Sequence, residues 1–220
     1  MTITEQFKAK RCVFSIECFP PKQTTQMDKL KDTLRQMQAM DPGFISVTFG
    51  AGGSAGGVST AEVADYIQNE LHVPTLAHLI CMGNDETRAA EILDQLESVG
   101  VRDVLALRGD KAPGETAFTT HPQGHAHACD LVRQIAAMNR GEFVDGEVAE
   151  CHHSRFSIGV AGYPETHVEA TDPPSDLLRL GEKVAAGADY VVTQMCFDNR
   201  RFFDFCDRCR DAGIDVPIIP

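Results

Sequence analysis

No block of basic residues occurs anywhere in the 220-residue chain, whose formal charge of -12 comes from acidic residues scattered along its length. Nothing is present to neutralise a phosphate backbone, which excludes nucleic acid and anionic membrane as general partners. No apolar run approaches the roughly 20 residues of a membrane span. The opening residues, MTITEQFKAKRC, lack the apolar core of a secretory signal. A soluble, cytoplasmic protein is expected. Cysteine is not scarce, with 8 in the chain, but most lie in apolar or helical runs, and a chain that is 43% hydrophobic builds its own core without covalent staples. Reduced thiols are expected.

Seven short runs rich in Val, Ile and Phe stand out: VFSIECF, FISVTFG, PTLAHLIC, DVLALRG, SIGVAGY, YVVTQMCF and VPIIP. Each has the length and composition of a strand buried on both faces. Amphipathic stretches lie between them. Leu30, Leu34 and Met37 are at helical spacing, and Ser59 with Glu62 forms a capping-box signal. The segments VGVRDV, AGADYV and AGIDVP repeat one helix-to-strand joint, through Gly100, Gly187 and Gly213. Glycine there supplies the left-handed residue that ends a helix. Most strand starts are about 30 residues apart, the size of one βα unit. The exception is the polar insertion FVDGEVAECHHSRF between the fourth and fifth runs.

Such alternation implies α/β architecture with a parallel sheet, either an eight-stranded TIM (β/α)8 barrel or an open doubly wound sheet. Polar residues fall at or just past the ends of six consecutive strands: Glu17, Thr48, His78, Arg108 with Asp110, Tyr163 with Glu165, and Gln194. In a barrel these ends converge on one mouth, whereas an open sheet uses mainly the strands flanking its switch point. The barrel is the expectation, as a single catalytic domain over residues 1–220. With seven strands visible, it is read as C-terminally incomplete, cut short in or after the seventh.

Glu17 interrupts a core-like strand. Burial would favour its protonated form, which suits a group that delivers a proton. A structural ion pair with a buried Lys or Arg explains it equally well. Gly50-Ala51-Gly52-Gly53-Ser54-Ala55 fits a dinucleotide fingerprint, but it follows the second strand and its helix starts late, so a loop allowing close backbone approach to a flat ligand is the better account. In ALRGD, Arg108 can hold a phosphate or carboxylate bidentately and Asp110 can accept from a heterocycle, unless the two simply pair with each other. His121, His125, His127, Cys129, Cys151, His152 and His153 have no standard zinc spacing and are expected as solvent-exposed histidines and ordinary cysteines, with no metal site. Cys206 and Cys209 form a CxxC on a helical run, read as one turn of a helix face.

FSIECFPP, FISVTFGAGG, LAHLIC, VLALRGD, AGYPETHVEA, LLRLGEKVAAGAD and VTQMCFD, in this order, resemble the methylenetetrahydrofolate reductase family over nearly the whole chain. The resemblance implies a βα barrel holding FAD noncovalently. It further implies ping-pong reduction of 5,10-methylenetetrahydrofolate to 5-methyltetrahydrofolate by NADH or NADPH, through folate and nicotinamide substrates that use one site in turn, and a homo-oligomeric state.

By that likeness Glu17 is the general acid that protonates the folate and helps open its imidazolidine ring. Asp110 is catalytic as well, near both flavin and pterin. Phe49, Ala51, His78, Arg108, Gly109, Asp110, Ala128, Tyr163, His167, Ala170, Asp176 and Lys183 contact FAD, with Arg108 and Lys183 suited to its phosphates. Thr48, Asp110 and Gln194 meet the substrates. Cys18 and the Met195-Cys196 pair stand where the family commonly carries aromatics. The alternatives are a noncatalytic flavin- or folate-binding fragment and a barrel lyase or aldolase using Glu17; against the lyase, no Schiff-base lysine stands at a strand end.

Overall fold

The computed structural model describes residues 1–9, 12–50, 57–111, 118, 120–142 and 154–220. Seven parallel strands form one curled sheet: β1 (Ser15–Cys18), β2 (Phe44–Val47), β3 (Thr75–Ile80), β4 (Asp103–Leu107), β5 (Ser157–Gly162), β6 (Tyr190–Thr193) and β7 (Ile218–Ile219). Their spatial order equals their sequence order. A doubly wound sheet reverses order at a switch point, so sequential order selects the barrel-type arrangement. Among the described residues the sheet has two edges, β1 and β7. No helix among them is long and apolar enough to cross a membrane.

The registers Glu17 with Ser46, Ser46 with Leu76, His78 with Leu105, Leu105 with Gly159 and Gly159 with Tyr190 put these residues on one face. Because side chains alternate along a strand, one such chain of partners fixes both faces of the sheet. Phe44, Leu76, Leu105 and Tyr190 meet Ile3 in a cluster on the concave side. The alternate residues Ala77, Leu79, Val104, Ala106, Ile158, Val160 and Val191 face the helices. There they pack on Leu93 and Leu96 of α4 (Glu86–Ser98), Leu131 and Ile135 of α5 (Ala128–Asn139), Leu180 of α6 (Pro173–Ala185) and Phe205 of α7 (Asn199–Asp211). Cys18, Ile45 and Val47 pack on Leu34 of α2 (Met27–Gln38) and Val63 of α3 (Thr60–Asp65). Each buried Val, Leu, Ile or Phe among them contributes about 1.5–3 kcal/mol.

The repeated joint folds as its glycines suggest. Val101, Ala188 and Ile214 donate their N–H groups to the carbonyls of Leu96, Lys183 and Cys209, at 3.0, 3.2 and 2.9 Å. Gly100, Gly187 and Gly213 turn between them at φ of 84°, 125° and 76°. The residue after each glycine is buried, as the hydrophobic contact of this helix stop requires. The Ser59 and Glu62 capping box is present at the start of α3.

Three expectations need correction. β1 is not buried on both faces: Ser15 and Glu17 are exposed, and Phe14 and Phe19 are 42% and 71% exposed. The half-buried β7 deviates in the same way, because among the described residues each is an edge strand with a neighbour on one side only. His125 is not solvent-exposed: it is 7% exposed and its Nε2 lies 2.7 Å from Gln134 Oε1, tying α5 to the loop before it. The chain also begins with a helix not anticipated from the sequence, α1 (Ile3–Ala9), which closes the N-terminal end of the sheet. Ile3 N–H donates to Asp103 Oδ1 at 3.0 Å, and Gln6 Nε2 donates to the Gly43 carbonyl at 2.8 Å.

The seven described cysteines are free thiols, and Cys206 and Cys209 share one turn of α7. Cys151, His152, His153 and most of the polar insertion lie outside the described residues, as does most of the glycine loop.

Candidate functional site

At the C-terminal end of β1, Glu17 points to the concave side with Ser46 and His78 of the next two strands. Ser46 Oγ donates to Glu17 Oε2 at 3.2 Å, and His78 Nε2 lies 3.5 Å from the same oxygen. Among the described residues no Lys or Arg pairs with Glu17, so none of them forms the structural ion pair. His78 is buried, and burial lowers its pKa to about 4. The ring is therefore neutral near pH 7 and offers Glu17 no charge. Its Nε2 is buried without a hydrogen-bond partner among the described residues, an atom of the kind that a ligand or water satisfies. The Glu17 side chain is 50% exposed and open to the mouth. It is not a buried carboxylate, because among the described residues β1 pairs with a strand on one side only.

A second constellation lies across the ends of β4 and β5, in a cleft of about 670 Å³ between α5 and α6. It is larger than a hollow at the N-terminal end, about 510 Å³, and one beside α2 and α3, about 600 Å³. Arg108, Ala128, Tyr163, His167, Ala170, Asp176 and Lys183 all line it. The Tyr163 and His167 rings meet edge to face with centroids 4.7 Å apart. His167 N–H donates to Asp176 Oδ2 at 2.9 Å, rooting the loop after β5 on the first turn of α6. Lys183 reaches inward from α6 and donates to the Ala161 carbonyl at 2.5 Å. Burial lowers its pKa to about 8, against the opposing pull of Asp176.

Arg108 does not pair with Asp110. Its guanidinium lies over the Phe118 ring, 3.5 Å from the centroid, and is ion-paired with Glu169. Asp110 is exposed beyond β4. Gly109 turns at φ 97°, and a Cβ there would meet Ile80 and Met82 at 3.2 Å. Thr48 donates its N–H to the Cys18 carbonyl at 3.1 Å, and its own carbonyl accepts from Thr60 Oγ1 at 3.0 Å. Phe49, the next residue, packs against the helix-side core. Gln194 continues the β5–β6 ladder through its N–H to Gly162, 2.8 Å, and is exposed at the mouth. Ala51 lies outside the described residues. Glu165 leaves the site and pairs with Arg201 at 3.3 Å. Ser46, Phe118 and Glu169 are the participants not singled out from sequence. Strand parity could have found Ser46, since it is the cross-strand partner of Glu17.

The family model for methylenetetrahydrofolate reductase matches residues 2–220. The chain belongs to the methylenetetrahydrofolate reductase family. A probable methylenetetrahydrofolate reductase (NADH) from Oryza sativa subsp. japonica is 38% identical over 219 residues, covering 96% of this chain and 34% of that protein. The 5,10-methylenetetrahydrofolate reductase of Salmonella typhimurium is 35% identical over 206 residues, covering 94% of this chain and 62% of that protein. The chain thus spans about a third of the rice relative and under two thirds of the bacterial one.

Among solved structures, a protein from Clostridium thermocellum that binds two copies of 5-methyl-5,6,7,8-tetrahydrofolic acid aligns with TM-score 0.60 at 12% identity, over 99% of this chain and 68% of that one. A 2,3-dimethylmalate lyase of the PEP mutase/isocitrate lyase superfamily aligns with TM-score 0.60 at 11% identity, over 99% and 79%. At these identities the likeness is one of fold, and it places the family's motifs on a barrel-type frame.

Proposed function

We propose that this chain is the catalytic βα-barrel domain of a reductase that converts 5,10-methylenetetrahydrofolate to 5-methyltetrahydrofolate with NADH or NADPH, using noncovalent FAD. The observation that carries this reading is the convergence of Arg108, Ala128, Tyr163, His167, Ala170, Asp176 and Lys183 on one cleft at the strand ends of a family member. The residues fit the cofactor. The cleft's volume is in the range that holds ligands of this size, Arg108 and Lys183 reach into it from separate elements, and His78 offers an unsatisfied ring nitrogen at the mouth. Arg108 and Lys183 would hold the diphosphate, with Tyr163 and His167 beside it. FAD, when bound, supplies the hydride relay between nicotinamide and folate.

The protein's own part is placement and proton supply. Asp110 and Gln194 project at the mouth, where they can orient the pterin, with Gln194 serving the nicotinamide in the other half-reaction. Thr48 lines the β2 side. Glu17, held by Ser46 and open to the mouth, delivers a proton from its carboxyl to a ring nitrogen of the folate and so promotes ring opening. His78, neutral beside it, adds no second charge to this end of the barrel. The two substrates take turns at one mouth, which is the geometric content of a ping-pong scheme. The reading includes a cytoplasmic homo-oligomer.

The test is the absorbance spectrum of the purified protein, before and after incubation with FAD. A flavin band that NADH or NADPH bleaches, and methylenetetrahydrofolate restores, supports the proposal. A colourless protein that takes up no FAD overturns it.

A further inference from the structure

The reading above leaves Glu169 without a part, although it is the carboxylate that meets Arg108 inside the cleft. The cleft is charge-balanced: Arg108, Arg133, Arg179 and Lys183 face Asp130, Glu169, Asp176 and Glu182. Two of its arginines pair with carboxylates three residues away on their own helix, Arg133 with Asp130 at 2.7 Å and Arg179 with Glu182 at 2.9 Å. Those pairs travel with the helix. Glu169 is different, because it reaches Arg108 from the loop after β5, 61 positions along the chain.

Arg108 does not need Glu169 to be aimed. Its guanidinium already lies over the Phe118 ring, 3.5 Å from the centroid, a cation–π contact that holds it in place. The root of the loop is also secured without the ion pair, through His167 N–H on Asp176 and Ala170 N–H on the His167 carbonyl at 2.9 Å. What Glu169 adds is a negative charge on the same guanidinium that suits a phosphate. A phosphate brought there meets that carboxylate at close range, and two anions sharing one cation repel.

We propose that Glu169 is an internal competitor for the phosphate site: binding of a diphosphate exchanges the Arg108–Glu169 ion pair for an Arg108–phosphate pair. The proposal rests on assigning this cleft to the diphosphate of FAD. The exchange acts as a selectivity device. A diphosphate offers more charge and more acceptor oxygens than one carboxylate, with the same bidentate option, and displaces it, whereas a ligand with no phosphate leaves Glu169 in place.

The experiment compares wild-type protein, Glu169→Gln and Glu165→Gln. Glu165 lies four residues earlier in the loop and pairs with Arg201, outside the cleft, so its replacement changes net charge equally. FAD and riboflavin are titrated by flavin fluorescence, and inorganic pyrophosphate by calorimetry. Glu169→Gln is expected to bind FAD and pyrophosphate roughly three- to tenfold more tightly, the scale of one charged hydrogen-bonded pair. Riboflavin should gain nothing, and Glu165→Gln should match wild type. Unchanged or weaker diphosphate binding by Glu169→Gln overturns the proposal, as does an equal gain in Glu165→Gln or for riboflavin. If pyrophosphate gains while FAD binds to none of the proteins, the flavin assignment falls and the exchange stands. If neither ligand binds, both fall.

Discussion

Two carboxylates point into the same barrel from opposite ends. Asp103 opens β4 at the N-terminal end, 2% exposed, with Ile3 N–H bonded to it and α1 closing the sheet beneath. Burial raises its pKa to about 7, with the Ile3 hydrogen bond opposing. Glu17 ends β1 at the other end, with its side chain 50% exposed, one hydroxyl donor and a neutral imidazole beside it. The contrast shows what separates a structural acid from an available one. Asp103 has a fixed backbone partner and is almost fully buried, whereas Glu17 faces the mouth where other groups converge.

The largest expected effect tests the available acid. Glu17→Gln should keep flavin reduction by nicotinamide and lose the folate half-reaction by about two to four orders of magnitude, the usual worth of a positioned proton donor. Stopped-flow absorbance follows the two halves separately. Equal losses in both would make Glu17 structural and erase the distinction between the ends.

A second test uses the opposite signs of two buried groups. Asp103 is raised from 3.8 to about 7, so between those values the folded state binds a proton that the unfolded state has released. Stability from this source is full below pH 3.8 and declines as pH rises towards 7. His78 is lowered from 6.5 to about 4, so its contribution is present above pH 6.5 and is lost as pH falls towards 4. Each slope is at most about 1.4 kcal/mol per pH unit, and between roughly pH 4 and 6.5 they oppose. Wild-type stability should therefore be nearly flat there as far as these two groups decide. Asp103→Asn keeps an acceptor for Ile3 and should unmask a fall on acidification; His78→Gln should unmask a fall on raising the pH. Urea midpoints at stepped pH, without added flavin, measure both. A flat profile in either variant refutes the assignment of that group.

How legible these ends were in the sequence follows from which interactions are local. Strands could be read because each is a short apolar run between helix stops, and the stops themselves because Gly100, Gly187 and Gly213 close their turns with neighbours a few residues away. The convergence of Arg108, Tyr163 and Lys183 became visible through the family's motifs. Glu169 and Phe118 did not, because their meeting with Arg108 depends on loop paths that no spacing rule encodes. The exposure of Glu17 is hidden in the sequence for a related reason. The run VFSIECF reads as a core strand, but its burial depends on what lies on its far side, a property of the sheet's edges. α1 is not legible in the sequence because its anchor, Asp103, is 100 residues from Ile3.

The sealed end carries an imperfection that gives a smaller prediction. Tyr190 is fully buried on the concave side, and its hydroxyl has no hydrogen-bond partner among the described residues. Tyr190→Phe removes that unsatisfied group while keeping the ring, and should stabilise the protein by about 1 kcal/mol. Loss of stability in urea unfolding would mean that the hydroxyl is in fact bonded.

The smallest effect separates stability from the site. Gly181 lies inside α6, the helix that aims Lys183 into the cleft, and a Cβ there would come no closer than 4.0 Å to Ile214 Cδ1. Alanine therefore fits without displacing a neighbour. It should stabilise the protein by about 0.5–1 kcal/mol, by reducing the freedom of the unfolded chain and favouring helix. Lys183 is held by the Ala161 carbonyl, not by helix stiffness, so flavin affinity should not change. A urea midpoint that rises while the FAD dissociation constant stays fixed would show that the open end owes its geometry to specific contacts. A shift in both would mean that α6 helix propensity tunes the cleft.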